Sequence, residues 1–251
     1  KNLSFETSGS ANVIYSSTSD FSPRVELNDW AGNVVINDLL NSLSNSTNFN
    51  YRLLNENILK YGKKFGAHNF GLLLGHSVSY FRNDGFNGRL SGFPTDNLEE
   101  FNAGGVVDPS VSGGAFEEAY QSFFGRINYD FQGKYLAEFN LRRDGSSKFG
   151  AANRYGNFPS ASLGWRISEE PFMKSLEFIS NFKVRASWGL SGNDRIDNYI
   201  FAQTYNPGID YVLGNDVTVV GVALTSLANP NIRWEQTEQY NIGMDLSLFK
   251  Y

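Results

Sequence analysis

Apolar and polar residues alternate along most of the chain with a period of two, and no stretch sustains the 3.6-residue rhythm of an amphipathic helix. Between Asn69 and Phe81 the apolar positions Phe70, Leu72, Leu74, Val78 and Tyr80 interleave with Asn69, Gly71, Gly75, Ser77 and Ser79. Phe123, Ile127, Tyr129 and Phe131 alternate with Ser122, Arg126, Asn128 and Asp130. After a tight Gln132-Gly133-Lys134 turn, Tyr135, Ala137, Phe139 and Leu141 oppose Glu138, Asn140 and Arg142. The same alternation runs through Ala161–Ile167, Phe182–Leu190 and Tyr240–Leu248, and more weakly through Leu3–Tyr15 and Tyr51–Tyr61. The pattern predicts roughly eight strands, each with one apolar face.

The connections alternate in length. Long polar stretches, Ser16 to Asn48, Arg82 to Glu118 and Asn193 to Arg233, are interleaved with short turns at Gly62–Gly66 and Gly133 and a compact link from Ser168 to Asn181. Asp144 to Asn157 is a loop of intermediate length, and a further strand pair is expected around Ile200–Tyr205 and Val217–Leu224. One helical candidate runs from Glu169 to Leu176, with Ser168 as N-cap and Pro171 in its first turn. Long loops at one end and short turns at the other are the layout of an outer-membrane barrel.

Composition sharpens the choice between a soluble and a membrane sheet. Charged residues make up only 19% of the 251-residue chain and aromatic residues 15%, against roughly 25% charged in ordinary soluble domains. The polar faces carry Gly, Ser and Asn where a soluble surface carries Lys and Glu. Tyr80, Phe131, Tyr135 and Tyr240 sit toward strand ends, as an interfacial girdle does. No apolar run of about 18 residues exists, which excludes a spanning helix but not a spanning barrel. With apolar faces on lipid, Arg126, Glu138, Arg142, Arg166, Lys183, Arg185 and Asp245 would share a wet lumen, while Trp165 and Trp188 would be lipid-facing or girdle residues. The alternative is a soluble all-β binding or adhesion domain without transport activity.

Specific strings then carry a resemblance. Leu141-Arg142-Arg143-Asp144-Gly145-Ser146-Ser147-Lys148-Phe149-Gly150 leads into Asn153-Arg154-Tyr155-Gly156-Asn157-Phe158-Pro159-Ser160 and on through Trp165 to Glu170. With Tyr61-Gly62-Lys63-Lys64-Phe65-Gly66, Lys183–Gly189 followed by Ser191-Gly192-Asn193, and Trp234-Glu235-Gln236-Thr237, this closely resembles the SusC/RagA-type TonB-dependent transporters of Bacteroidota. The resemblance implies an all-β, antiparallel transmembrane β-barrel in the cell outer membrane. This chain would supply about eight to ten strands of a larger barrel of about 22. It further implies import of nutrients such as oligosaccharides or peptides, a SusD-like surface lipoprotein as lid, and energy from TonB through an N-terminal region that this chain lacks. Residues 1–251 are expected to be one barrel segment, without plug domain or TonB box.

Other chemistry is sparse. A net charge of −5 and a pI near 5.1 argue against nucleic acid as partner. There is no cysteine, and no Walker loop, dinucleotide fingerprint or G-x-S-x-G elbow. No enzyme activity and no cofactor is expected; a phospholipase- or protease-type barrel would need a lumenal Ser/His/Asp set, and both His68 and His76 fall on the apolar face. Their spacing is not that of a metal pair. The loop carboxylates Asp20, Glu26, Asp29, Glu99 and Glu100 match no calcium motif. Within Arg142–Ser147, Arg142 and Asp144 are expected to anchor a strand exit while Gly145 turns the chain. The substrate contacts expected are loop aromatics able to stack on sugar rings or peptide side chains: Trp30, Phe93, Tyr205 and Tyr211.

Overall fold

In the computed structural model, residues 2–24, 26–28, 30–36, 40–104, 107–214 and 217–249 are described. Eight strands form one sheet in the order β1 (Leu3–Ser22), β4 (Ser42–Phe65), β5 (His68–Ser91), β6 (Val107–Phe131), β7 (Tyr135–Ser146), β8 (Tyr155–Arg166), β9 (Ile179–Asn193) and β12 (Glu235–Leu248). Two separate hairpins are β2 (Glu26–Asn28) with β3 (Val34–Ile36), and β10 (Thr204–Val212) with β11 (Thr218–Ser226). Contacts group the chain into two units: Lys1–Gly9, Leu54–Ser79 and Glu118–Tyr251 form one, Ser10–Leu53 and Tyr80–Glu117 the other.

All eight alternating segments are strands of the large sheet, and from β6 through β9 to β12 the register aligns their faces. Across β6, β7 and β8, Ile127 lies opposite Phe139 and Phe139 opposite Ala161. The row continues from Ala161 to Trp188 of β9 and Tyr240 of β12. On the other face Glu138 meets Asn128 and Ser162, Gly164 meets Arg185, and Lys183 meets both Arg166 and Asp245. Because side chains alternate with a period of two, a slip of one residue at any pairing would mix the faces; none occurs from Phe131 to Leu246 in these five strands. The apolar face is bare: Ile242 is 88% exposed and Leu163 65%. The fully buried side chains are instead a few loop and strand-end residues, Leu43, Phe93 and Phe149 among them.

Several strands are far longer than their alternation. β4, β5 and β6 run for 24, 24 and 25 residues; at about 3.3 Å per residue each reaches about 80 Å, whereas about ten tilted residues cross a bilayer. Thus much of what reads as loop, Ser16 to Asn48 and Arg82 to Glu118, is strand. β1 continues to Ser22, β4 begins at Ser42, β5 continues to Ser91 and β6 begins at Val107. The signal fails there because a strand that has left the lipid needs no apolar face, while its backbone still pairs with both neighbours. For the same reason Tyr80 and Tyr240, expected at strand ends, lie within β5 and β12.

The short turns are tight. Gly66 turns β4 into β5 at φ +59°, and Gln132 and Gly133, at +55° and +70°, form a positive-φ pair in the three-residue turn between Phe131 and Tyr135, closed by the Lys134 amide donating to the Phe131 carbonyl at 2.9 Å. The predicted helix is absent. Ile167–Glu169 and Pro171–Met173 are single 3₁₀ turns, interrupted at Glu170, whose backbone is extended at φ −77°, ψ 146°. Ser168 caps neither turn. The Glu170 carboxylate accepts hydrogen bonds from the Tyr135 hydroxyl at 2.7 Å and the Trp165 indole at 3.1 Å, with the Lys134 amine 3.5 Å away. Three tertiary partners outweigh a short, Pro-interrupted helix with little intrinsic stability.

Candidate functional site

Within the unit that contains β7 to β12, the polar face is a ladder of both signs. Arg126 donates from Nε to the Asn140 side-chain oxygen at 2.7 Å and lies 3.7 Å from Glu138; Asn140 in turn donates to Glu138 at 2.9 Å. Four residues further along β7, Arg142 donates to Asp144 at 2.7 Å and to Ser122 at 3.0 Å, with its guanidinium 5.5 Å over the Phe124 ring. Arg185 pairs with Asp245 at 3.5 Å. A concavity of about 730 Å³ opens along this face beside Asn128, Glu138, Lys183, Arg185 and Asn241. Partly exposed pairs of this kind add little stability. They present alternating charge and amides to whatever fills the concavity.

The opposite face carries an aromatic row at the short-turn end. Tyr135 stacks on Trp165 at 6.4 Å, Phe131 lies 6.2 Å from Tyr135, and His68 packs on Phe65 at 5.4 Å and Phe131 at 4.8 Å. His68 also shares a 2.6 Å hydrogen bond with the Tyr129 hydroxyl, and His76 contacts Gln121 at 3.1 Å and Phe123. Both histidines are thus occupied by neighbours on the apolar face. Among the described residues no three His, Asp or Glu side chains converge as a cation site; Asp29 and the Glu26 side chain lie outside them.

Separate strings of the sequence meet at the other end of these strands. Ser146 donates to Asp194 at 3.0 Å, while the Ser147 hydroxyl accepts from the Ala119 amide at 2.9 Å. Glu118 pairs with Lys148 at 3.5 Å and accepts from Asn198 at 3.1 Å. Phe149 packs against Trp234 at 5.1 Å, and the Trp234 indole donates to the Arg154 carbonyl at 3.1 Å. This clamp ties the β7–β8 loop to both feet of the long segment that carries the β10–β11 hairpin. The resemblance strings around Ser146, Asp194 and Trp234 therefore act together as scaffold. Gly145 has a different role from the turn expected of it. It lies within β7 opposite Gln121 and Tyr155, and a Cβ there would sit 2.5 Å from the Tyr155 ring. Arg142 and Asp144, expected to anchor a strand exit, likewise lie within β7 and pair with each other at 2.7 Å.

The four aromatic residues expected to contact substrate divide between the two units, Trp30 and Phe93 in one and Tyr205 and Tyr211 in the other. Trp30 is almost wholly exposed. Phe93 is fully buried against Phe21, and its backbone amide and carbonyl are both bonded by the Asn41 side chain; a ring without free surface cannot stack on a ligand, so Phe93 is a core residue. Tyr205 and Tyr211 are both in β10. Tyr205 pairs with Leu224 and Tyr211 with Val219, and the extra residue at Gly208 places the two rings on opposite faces of the hairpin. Tyr211 lies over Gly221, where a Cβ would come within 2.3 Å of its ring, and is 47% exposed; Tyr205 is 58% exposed. No sequence signal marks the Gly208 bulge apart from the glycine itself.

Residues 2–250 match the family model described as TonB dependent receptor-like, beta-barrel. TonB-dependent receptor P39 of Formosa agariphila is 37% identical over 250 residues, covering 99% of this chain and 23% of that protein. TonB-dependent receptor SusC of Bacteroides thetaiotaomicron is 32% identical over 203 residues, covering 79% of this chain and 20% of that protein. A solved structure of the RagAB peptide transporter superposes with a TM-score of 0.86 at 23% identity, over 99% of this chain and 26% of that one. That likeness is one of fold. The chain spans less than a quarter of the length of the two curated relatives.

Proposed function

From a chain that belongs to the TonB-dependent receptor-like β-barrel family, and so forms wall of an outer-membrane barrel, we propose a role in TonB-dependent nutrient import. The observation that carries it is the two-faced sheet: one unbroken apolar face for lipid, and one face of paired charges and amides for an aqueous passage. Residues 1–251 act as a single wall segment of the whole receptor, with TonB engaged elsewhere in it. A SusD-like surface lipoprotein closes the passage from outside. Oligosaccharides and peptides are the cargo classes; SusC is a relative, and the RagAB transporter that shares the fold handles peptides. Trp30, Tyr205 and Tyr211 are the exposed aromatic contacts.

The soluble adhesion reading is set aside, because the family is one of outer-membrane barrels. The test is uptake by cells carrying the full-length receptor, with and without TonB. Uptake should require TonB, and Tyr205→Ala with Tyr211→Ala should lower it while the barrel still folds. Unchanged uptake in cells lacking TonB would overturn the import proposal; unchanged uptake in the tyrosine variant would remove these contacts from it.

A further inference from the structure

Toward the long-loop end, the apolar face of β5 to β8 passes into a built polar strip. Tyr155 of β8 lays its ring across β7 at Gly145, where a Cβ would stand 2.5 Å from it, and its hydroxyl donates to the Gln121 side-chain oxygen of β6 at 2.8 Å. The Gln121 amide nitrogen lies 3.1 Å from Nε2 of His76 in β5. Over this anchored ring rests the Arg143 guanidinium, 5.0 Å from the centroid. Arg143 shares its face with Phe139 and Leu141, and its ladder neighbours are Phe123 of β6 and Asn157 of β8. Arg143 and Asn157 are both exposed; among the described residues no carboxylate pairs with Arg143, and nothing hydrogen-bonds the Asn157 side chain. Tyr135, in the aromatic row at the short turn, and Arg143 are separated along β7 by about 26 Å, or about 20 Å along the bilayer normal at a tilt of about 40°. That nearly spans an apolar band of about 25 Å, and the long-loop side of such a barrel faces outward. Arg143 therefore stands where the outer leaflet's headgroups begin.

We propose that Arg143 and Asn157 bind the phosphate of an anionic outer-leaflet lipid against the outside of the barrel wall; the proposal rests on the lipid-facing assignment of this face and is independent of import. Stacking on Tyr155 occupies the flat face of the guanidinium and leaves its in-plane N–H donors free. Those donors form a fork that matches two phosphate oxygens at once. Asn157, directly across the ladder, adds an unspent amide about 5 Å away at Cβ. Tyr155 is a positioning residue: its bond to Gln121 holds the ring, and the ring holds the cation. Below the strip the exposed Leu141 and Phe123 side chains offer apolar surface to the acyl chains of the same lipid. A soluble anion would meet the same donors but gain none of that surface.

The full-length receptor in a neutral detergent is titrated with lipid A and with lipid A stripped of its phosphate, and bound lipid is counted by native mass spectrometry. The phosphorylated form should bind about tenfold more tightly or better. Arg143→Gln should remove most of that preference and Asn157→Ala should reduce it about threefold. Both change exposed side chains, and heat-modifiable gel migration verifies each folded barrel. Arg195→Gln, which removes an exposed cation from the segment after β9, should leave the preference intact. Inorganic phosphate in large excess should not displace the lipid. Equal binding of the two lipids, a folded Arg143→Gln receptor that keeps the preference, an equal loss in Arg195→Gln, or displacement by inorganic phosphate overturns the proposal.

Discussion

Replacing Phe139 by Lys tests whether the exposed apolar face meets lipid or water. Phe139 lies midway along β7 between Tyr135, in the aromatic row at the short turn, and Arg143, whose guanidinium sits 5.0 Å over the Tyr155 ring. Four residues to either side place it near the centre of the apolar band. Its ring is 45% exposed and flanked by Ile127 and Ala161. In water, a lysine at a half-exposed strand position shifts stability by about 1 kcal/mol or less. At the bilayer midplane it costs about 2–4 kcal/mol, close to two orders of magnitude in the folding equilibrium. Ser162→Lys is the control. It lies one residue from Ala161 but on the other face, opposite Glu138, where a cation gains a partner. The full-length receptor, refolded into lipid vesicles, is titrated with denaturant and followed by tryptophan fluorescence. Phe139→Lys should lose about 3 kcal/mol and Ser162→Lys less than about 0.5. Equal losses, or a Phe139→Lys receptor as stable as the parent, would refute the assignment of faces.

Two further outcomes follow from the ends of the strands. Phe149→Ala empties a fully buried site against Trp234; with about 3–5 kcal/mol removed from the clamp, limited proteolysis should cut within Asn193–Trp234 at least tenfold faster, and an unchanged pattern would deny the clamp its role. Glu170, in the link between β8 and β9, has its pKa held below the ordinary glutamate value, chiefly by the Tyr135 hydroxyl and then by the Trp165 indole. A carboxyl lowered in the folded state stabilises it fully above the ordinary range and loses that contribution as pH falls through the lowered value. Acid should therefore loosen Trp165, read as a fluorescence change below about pH 4.5 that Glu170→Gln removes; the same acid transition in both proteins would contradict this.

The clamp shows why a signature is easier to recognise than to interpret. Ser146, Asp194 and Trp234 are far apart in sequence, and nothing local to any of them indicates that they meet. Gly145 reads as a turn residue because glycine usually is one; its neighbour across the ladder, Tyr155, decides otherwise. The Glu170 carboxylate reads as a helix-start residue for the same reason.

Alternation alone determined eight strands and their two faces, because an apolar medium on one side and water on the other impose a period of two on each strand independently; composition and the resemblance strings pointed to lipid as that medium. Tertiary structure decided the rest. The Ser-, Thr- and Asn-rich halves of β4 to β6 are strands only because neighbouring backbones pair with them. Phe93 is core only because Asn41 and Phe21 close over it, and Tyr205 and Tyr211 diverge only because one extra residue at Gly208 shifts the pairing. Side-chain periodicity is a local property, whereas register, ladder closure and burial depend on residues brought from elsewhere in the chain.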